Sequence, residues 1–267
     1  MTDKTNEKIL TIIIPQYRTR DLTKLCLRMI RDHVDLKTTD VLVIDNGSGD
    51  DSLDYLKSVP WIRLMERPKI EGEPPAEQHA RSLDMALEAV STPFVMTIHT
   101  DTFFLDGEGI PYMLRELCKD DRIAGVGSWK LEQHPPVKRF FKKIEDAFQL
   151  FVLSPLRGHG FGRRRPELRN HHYLRSHCAL YRTELLKTRT HGFWNGETAG
   201  KSLHHELEAQ GFKMGFLPVE EQIRHIVHFD HATAVLNPDR AGAKSRQPKA
   251  MRRPKRALEK LRHPEIL

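Results

Sequence analysis

Hydrophobic positions along the first 130 residues alternate between two spacings. Short apolar, β-branched runs of strand length recur, and each is followed by a segment whose apolar residues have helical spacing. This alternation predicts parallel strands, right-handed crossovers and helices on both faces of a sheet. The predicted strands lie at 9–14, 40–45, 61–65, 94–98 and 123–129, and the predicted helices at 22–30, 51–59, 76–90 and 109–119.

The pattern changes after residue 130. Residues 137–151 have apolar positions at helical spacing and a charged opposite face, which favours a helix packed on the body over a helix lying at a lipid surface. Arg163, Arg164 and Arg165 then form either a phosphate-binding cluster or a solvated connection. A returning strand at 177–181, a loop at 193–200, a helix at 201–210 and a strand at 214–217 are predicted next.

The positive charge is concentrated at the end of the chain. Residues 240–267 contain ten Lys or Arg and two Glu, so this segment alone outweighs the formal net charge of +7 of the whole protein. We therefore expect residues 239–267 to be a basic, flexible tail, and nucleic-acid binding by the folded body is disfavoured. The alternative is that the tail is the principal binding element of the protein, for a polyanion or an anionic membrane surface.

Three cysteines are widely spaced and form no CxxC pair. This usage fits a reducing compartment and argues against a disulfide framework or a cysteine-based zinc site. Apolar runs fall well short of the roughly 20 residues of a membrane span. The expected location is cytoplasmic, with peripheral contact to the inner face of a membrane through the basic tail.

Candidate chemistry is concentrated where the strand at 94–98 ends. His99, Thr100 and Asp101 follow it directly, and because side chains alternate along a strand, His99 and Asp101 leave on the same side. Ligands of open α/β sheets bind beyond the carboxyl ends of the strands. One divalent cation can therefore contact both side chains there; the alternative is a turn in which Asp101 caps the next element.

Nucleotide-binding loops of the common kinds are absent from the chain. It contains neither GxGxxG nor GxxxxGK[ST]. Instead, the first strand ends in Ile14-Pro15-Gln16-Tyr17, the second in Asp45-Asn46-Gly47-Ser48, and a later strand in the triplet at 99–101. An acidic loop then precedes a Leu-rich helix that ends at Gly211.

In this order the motifs resemble the family 2 glycosyltransferases with the GT-A fold, over residues 10–236. The resemblance implies a Rossmann-like, mostly parallel α/β sheet with helices on both faces, in a single domain at 1–238. Residues 1–130 would form the nucleotide-binding half, residues 131–238 the acceptor-binding half, and 239–267 the tail. It also implies transfer of a sugar from a nucleotide-diphosphate donor with inversion.

The resemblance implies a set of residues for the nucleotide sugar. Asp45 suits the base and ribose because a carboxylate accepts hydrogen bonds from N–H and hydroxyl groups. Arg81 would contact the diphosphate, and Trp194 would stack on a sugar face or lie in the core. The full implied set is Pro15, Tyr17, Arg18, Asp45, Asn46, His79, Arg81, His99, Thr100, Asp101 and Trp194.

The resemblance also implies a metal, Mn²⁺ or Mg²⁺, with Asp101 as its ligand. His99 replaces the first Asp of the family's triplet and either binds the metal or contacts the sugar or ribose. One of His228 and His231 would complete the site, with a zinc site that also includes His225 as the alternative. The implied catalytic base, needed to deprotonate the acceptor, is Glu197, with Glu206 as second choice.

The sequence therefore predicts an enzyme, a metal-assisted inverting hexosyltransferase that builds a surface or lipid-linked glycan. Its partners would be a nucleotide-diphosphate sugar and a glycan or lipid-linked acceptor. Two alternatives remain: a nucleotidyltransferase, and a homologue that binds nucleotide sugars without turnover. The His at position 99 keeps the second alternative open, because it removes one negative charge from the metal site.

Overall fold

A computed structural model describes residues 7–129, 131 and 172–229. Seven strands form one mixed sheet in the order β3-β2-β1-β4-β7-β6-β8, and β5 pairs with β9 in a small second sheet. The strands are β1 (Leu10–Gln16), β2 (Thr39–Asp45), β3 (Arg63–Glu66), β4 (Phe94–Ile98), β5 (Thr102–Phe104), β6 (Ile123–Gly127), β7 (Cys178–Arg182), β8 (Lys213–Phe216) and β9 (Ile226–His228).

Helices connect most of these strands, as the periodicity predicts. Their bounds are α1 (Arg20–His33), α2 (Ser52–Lys57), α3 (Pro75–Glu88), α4 (Gly109–Leu117), α5 (Thr183–Arg189), α6 (Lys201–Ala209) and α7 (Val219–His225). None of the helices in this part of the chain is long and apolar enough to cross a membrane.

The centre of the sheet is built from the most apolar runs. Every residue of β1 is buried, and β1 pairs in parallel with β2 on one side and β4 on the other. Strands buried on both faces read as continuous hydrophobic runs, which is why the sequence identified them. The register places Gln16 opposite Asp45, so the carboxyl ends of β1 and β2 lie side by side.

The returning strand β7 runs antiparallel between β4 and β6. Its register pairs Ile98 with Cys178, which brings the residues before Cys178 to the carboxyl end of β4. Gly125 in β6 permits this packing, because a Cβ there would clash with the ring of Tyr181. The predicted strand at 123–129 is too long, since β6 ends at Gly127 and Trp129 lies beyond it.

Two clusters of buried side chains cover the two faces of the large sheet. One contains the apolar faces of α1 and α4, including Leu25 and Met113. The other contains α3, α5 and α6, with Leu83 and Leu203 fully buried. The helices thus cover both faces of the sheet, as predicted.

Candidate functional site

The carboxyl ends of the central strands carry the candidate side chains. β1 ends at Gln16, β2 at Asp45 and β4 at Ile98, and the parallel pairing places these ends at one edge of the sheet. His99, Thr100 and Asp101 follow β4 directly. Open α/β sheets bind ligands beyond the carboxyl ends of their strands, and in this protein that edge of the sheet carries these polar side chains.

His99, Asp101 and His228 converge at this edge. One ligand atom from each lies within 4.8 Å of the other two. Nε2 of His228 lies 3.3 Å from Oδ1 of Asp101, and Nδ1 of His99 lies 3.9 Å from the same oxygen. The antiparallel pairing of β5 with β9 sets Thr102 opposite His228 and so delivers His228 to Asp101.

These three residues fit a divalent cation. Oδ1 of Asp101 is buried and has no hydrogen-bond donor among the residues that the structure describes, although two ring nitrogens face it. A buried carboxylate oxygen without a partner is costly, and a cation in this position would satisfy it. A set of two imidazole nitrogens and one carboxylate oxygen suits first-row divalent ions better than it suits Mg²⁺, which prefers oxygen ligands.

Of the other candidate metal histidines, His225 does not join this cluster. Its Nδ1 lies 2.8 Å from Oδ2 of Asp106, at the end of α7. The alternative zinc site at His225, His228 and His231 stays a prediction. His231 lies outside the described residues, as do the predicted helix at 137–151, the arginines at 163–165 and the tail at 239–267.

Further polar side chains surround the cluster. Oγ of Ser176 lies 3.0 Å from Nε2 of His79 and 3.2 Å from Nε2 of His99. Nε2 of His99 is thus engaged, which leaves Nδ1 on the side of Asp101. The ring of His177 stacks on that of His228 with centroids 4.5 Å apart.

Sequence reasoning assigned no role to Ser176 or His177. The register of β4 with β7, which pairs Ile98 with Cys178, brings these two residues to the carboxyl end of β4. These two strands lie about 80 residues apart in the chain, so no local sequence pattern predicts that they pair.

Burial controls the protonation of these groups. It lowers the pKa of His99 to about 3 and that of His79 to about 4, and it holds the pKa of His177 well below the ordinary value. Burial alone would raise the pKa of Asp101, but the nearby His228 and His99 together with a backbone hydrogen bond outweigh it, and the net shift of this pKa is downward. At neutral pH the imidazoles of His79, His99 and His177 are therefore neutral and the carboxyl group of Asp101 is ionised, and neutral imidazole and carboxylate are the forms that bind a metal.

Asp45 closes the turn that follows β2. Its Oδ1 accepts a hydrogen bond of 2.7 Å from Nε2 of Gln16, and its Oδ2 one of 3.0 Å from the backbone N–H of Ser48. Both oxygens thus have partners within the loop. Next to it, Oδ1 of Asn46 is buried and has no hydrogen-bond partner in the described structure.

The remaining predicted residues of this region surround the same turn. Pro15 is buried within β1, Tyr17 is half-buried, and Arg18 is exposed with a positive φ of 49°. Nε of Arg18 donates to the carbonyl oxygen of Ser48 over 2.8 Å. Oγ1 of Thr100 lies 3.2 Å from Oγ1 of Thr19 and thereby links the triplet at 99–101 to the start of α1.

Arg81 is paired with acidic residues. Its Nε lies 2.7 Å from a carboxylate oxygen of Glu77 and 4.0 Å from one of Glu73. Glu73 also forms a two-pronged, buried ion pair with Arg67, which sequence reasoning missed. Contact of Arg81 with a diphosphate would require it to leave Glu77.

The loop at 192–200 is anchored by carboxylates from two helices. Asp84 of α3 accepts the backbone N–H groups of Phe193 at 2.5 Å and Trp194 at 3.1 Å. Glu206 of α6 accepts the N–H of His191 at 2.8 Å and Nδ2 of Asn195 at 3.2 Å. Glu206 thus has a structural role in addition to any catalytic one.

Two candidate residues lie in this loop. Glu197 is exposed and forms an ion pair of 2.9 Å with Lys201 at the start of α6. Trp194 is half-buried and packs against the core cluster that contains α3 and α6. His204 of α6 is buried, with only 1% of its surface accessible, and its Nδ1 accepts the N–H of Leu174.

The fold and the site define an α/β protein with a candidate metal site among polar side chains at the carboxyl edge of a mostly parallel sheet. The chain matches Glycosyl transferase family 2 over residues 11–190 and belongs to that family. No curated protein matches the chain at a significant level.

Two solved structures share this GT-A fold. The mannosyltransferase PcManGT from Pyrobaculum calidifontis, in complex with GDP-Man and Mn²⁺, is 17% identical with a TM-score of 0.57, over 79% of this chain and 55% of that one. S. aureus TarS 1–349 is 13% identical with a TM-score of 0.50, over 85% of this chain and 63% of that one. The chain therefore spans less than two thirds of either protein.

Proposed function

We propose that this protein transfers a sugar from a nucleotide-diphosphate donor to an acceptor hydroxyl, assisted by a divalent metal. The observation that carries the proposal is the convergence of His99, Asp101 and His228 at the carboxyl edge of the sheet. Membership of Glycosyl transferase family 2 supports the reaction class. The GDP-Man and Mn²⁺ bound by the Pyrobaculum protein support this kind of donor and metal.

His99, Asp101 and His228 would hold the metal, which would neutralise the diphosphate as it leaves. His79, Ser176 and His177 support this set. Ser176 fixes the ring of His99 through Nε2, and His177 stacks on His228. Groups that orient metal ligands in this way commonly tune both affinity and geometry.

The loop after β2 would contact the nucleoside. The free, buried Oδ1 of Asn46 can accept a hydrogen bond from a base N–H or a ribose hydroxyl. Both oxygens of Asp45 accept hydrogen bonds, from Gln16 and from Ser48, so Asp45 holds this loop in place. Asp45 would bind the base or ribose in addition to this structural role. Tyr17 and Arg18 would flank the same position.

Inversion requires a single displacement. The acceptor oxygen forms a bond to the anomeric carbon while the bond from that carbon to the diphosphate oxygen breaks, and a base removes the acceptor proton. Glu197 would be this base. Its carboxylate lies 2.9 Å from Nζ of Lys201 at the start of α6, and its exposure leaves room for an acceptor.

The proposal is tested by thermal stabilisation with UDP, GDP, dTDP, CDP and ADP, each with and without Mn²⁺. A ligand at 100 times its Kd stabilises by about 2.7 kcal/mol. We expect one nucleotide to stabilise the wild type in a Mn²⁺-dependent manner, and Asp101→Asn and His228→Gln to lose this effect. His225→Gln is the matched control, since this histidine is bonded to Asp106 instead. Stabilisation by none of the five nucleotides would refute the proposal.

A second candidate, nucleotide-sugar binding without turnover, is favoured by one observation. The candidate base Glu197 is exposed and already paired with Lys201. Release of free nucleotide diphosphate from a bound donor distinguishes the two. Turnover that falls in Glu197→Gln while donor binding is retained supports the enzyme, and binding without release in the wild type supports the second candidate.

The surroundings of the reaction are also part of the proposal. We place the protein in the cytoplasm, where the basic residues of 240–267 would attract it to an anionic membrane that carries a glycan or lipid-linked acceptor. Co-sedimentation with vesicles containing phosphatidylserine tests this. Vesicle binding that is unchanged after removal of residues 239–267 would rule out the role of the tail.

A further inference from the structure

Arg175 lies in the segment that contributes Ser176 and His177 to the surroundings of the candidate metal site. It directly precedes Ser176 and His177, whose side chains contact His99 and His228. Its backbone N–H donates to Ser128 over 3.2 Å, and its carbonyl accepts the N–H of Cys178 over 3.2 Å. The backbone of Arg175 is therefore fixed between the ends of β6 and β7.

Its guanidinium group is oriented by aromatic rings. Cζ lies 4.5 Å from the ring centroid of Trp129 and 5.3 Å from that of Tyr173. Stacking of this kind holds the planar group in one orientation while leaving its N–H edge available for an anion. Arg175 is half-buried, yet it forms no ion pair with a carboxylate of the described residues, and its Nε is buried without an acceptor.

The charge of Arg175 reaches the site. It is one of the causes that lower the pKa values of His99 and His177, after burial and the neighbouring histidines. A guanidinium that influences both imidazoles lies near the space in which the donor would bind. A guanidinium whose Nε has no acceptor among the described residues is suited to binding an oxyanion.

The charge balance of the candidate metal site favours a positively charged side chain next to the metal. Its three candidate ligands include a single carboxylate, that of Asp101. A divalent ion held by them has one net positive charge, whereas the diphosphate of a nucleotide sugar carries two negative charges. One additional cation makes the complex neutral, and neutrality matters most where burial excludes water.

We propose that Arg175 binds the diphosphate of the nucleotide donor, next to the metal, and stays bound to it as the diphosphate leaves. This inference rests on the proposed function and assigns a charge-balancing residue to the same site. The two-pronged geometry of the guanidinium matches two phosphate oxygens, so it also orients the leaving group.

Calorimetric titration in the presence of Mn²⁺ tests the proposal with three probes: inorganic pyrophosphate, the nucleoside diphosphate that stabilises the wild type, and the corresponding nucleoside. In Arg175→Gln we expect about tenfold to hundredfold weaker binding of both diphosphates, as for the loss of one or two charge-assisted hydrogen bonds. Binding of Mn²⁺ alone and of the nucleoside should stay unchanged. Arg175→Lys should recover part of the affinity, because it restores the charge without the fork.

Arg182→Gln is the matched control. This arginine lies at the other end of β7, where it pairs with Phe94 at the start of β4, so the same charge is lost far from the polar edge. We expect its diphosphate affinity to equal that of the wild type. If Arg175→Gln does not fold, a severalfold loss of pyrophosphate affinity in Arg175→Lys carries the test, and unchanged affinity in that variant overturns the proposal.

The remaining outcomes separate this proposal from the proposed function. Binding of diphosphate by the wild type with equal affinity in Arg175→Gln overturns the role of Arg175 alone. Equal losses for nucleoside and diphosphate, with a lower unfolding temperature, show that Arg175 only supports Trp129 and Tyr173 and also overturn it. Absence of any diphosphate or nucleotide binding by the wild type overturns both.

Discussion

The contact between Asp84 and Gly192 makes a quantitative prediction about the loop that carries Glu197. Asp84 accepts the N–H groups of Phe193 and Trp194. Gly192 lies against the same carboxylate with a φ of 91°, so a Cβ at this position would clash with Oδ1 of Asp84. Loop and carboxylate therefore fit together only because residue 192 has no side chain.

We expect Asp84→Ala to lower the free energy of unfolding by about 2–4 kcal/mol, because two backbone donors lose a charged acceptor. Gly192→Ala should cost about 1–2 kcal/mol for the left-handed backbone and a further 1–3 kcal/mol for the clash. In the double variant the clash disappears, since the carboxylate is gone. The two changes should then cost about 1–3 kcal/mol less together than the sum of the single effects.

Urea unfolding of the four proteins in this cycle measures the coupling. Gly196→Ala is the control within the same loop, because its φ is 77° but a Cβ there would meet no atom within 4 Å. It should show the backbone cost of about 1–2 kcal/mol alone and should add to Asp84→Ala without coupling. Additivity of Gly192→Ala and Asp84→Ala to within about 0.5 kcal/mol would refute the reasoning.

Three other predictions concern stability and reactivity. Glu73→Gln should lower the free energy of unfolding in urea by about 3–5 kcal/mol, because it leaves the buried charge of Arg67 without its partner. The double change Arg67→Met and Glu73→Met should cost much less, and equal costs would contradict a buried ion pair. Burial raises the pKa values of Cys26 and Cys178, the latter to about 12, whereas Cys118 is exposed. A thiol reagent should therefore modify Cys118 quickly in the native protein, and Cys118→Ser should remove this fast labelling. Fast labelling that persists in Cys118→Ser would contradict the burial of the other two thiols. The pKa values of His99 and His79 are lowered from the ordinary 6.5 to about 3 and about 4. The unfolded chain therefore binds protons at a higher pH than the folded one, and the stability of the metal-free protein should fall as the pH drops from 6.5 towards 4. A midpoint of urea unfolding that stays constant over this pH range would refute those shifts.

Local patterns determined much of this protein. Apolar runs such as 9–14 and 40–45 predicted β1 and β2, because strands buried on both faces must be continuously hydrophobic. The order of the elements predicted a mostly parallel sheet, and hence the edge at which His99 and Asp101 lie. The motifs at the ends of these strands were enough to indicate the family.

Only the tertiary structure decided which distant side chains complete the site. His228 reaches Asp101 through the pairing of β5 with β9, two three-residue strands that have no distinct pattern of their own. The register of β4 with β7 brings Ser176 and His177 to the same edge and places Arg175 beside them. The burial of His204, and the pairing of Arg81 with Glu77, likewise depend on neighbours in space.

The physical reason lies in the range of the interactions. Periodicity reports how a segment satisfies its own backbone hydrogen bonds and which face it buries, and both depend on residues a few positions apart. The metal cluster depends on contacts between segments separated by more than 100 residues, which are set by the packing of the whole sheet. Sequence therefore determined the strands and the Asp101 end of the site, and the fold supplied the histidine side chain of His228 that meets it there.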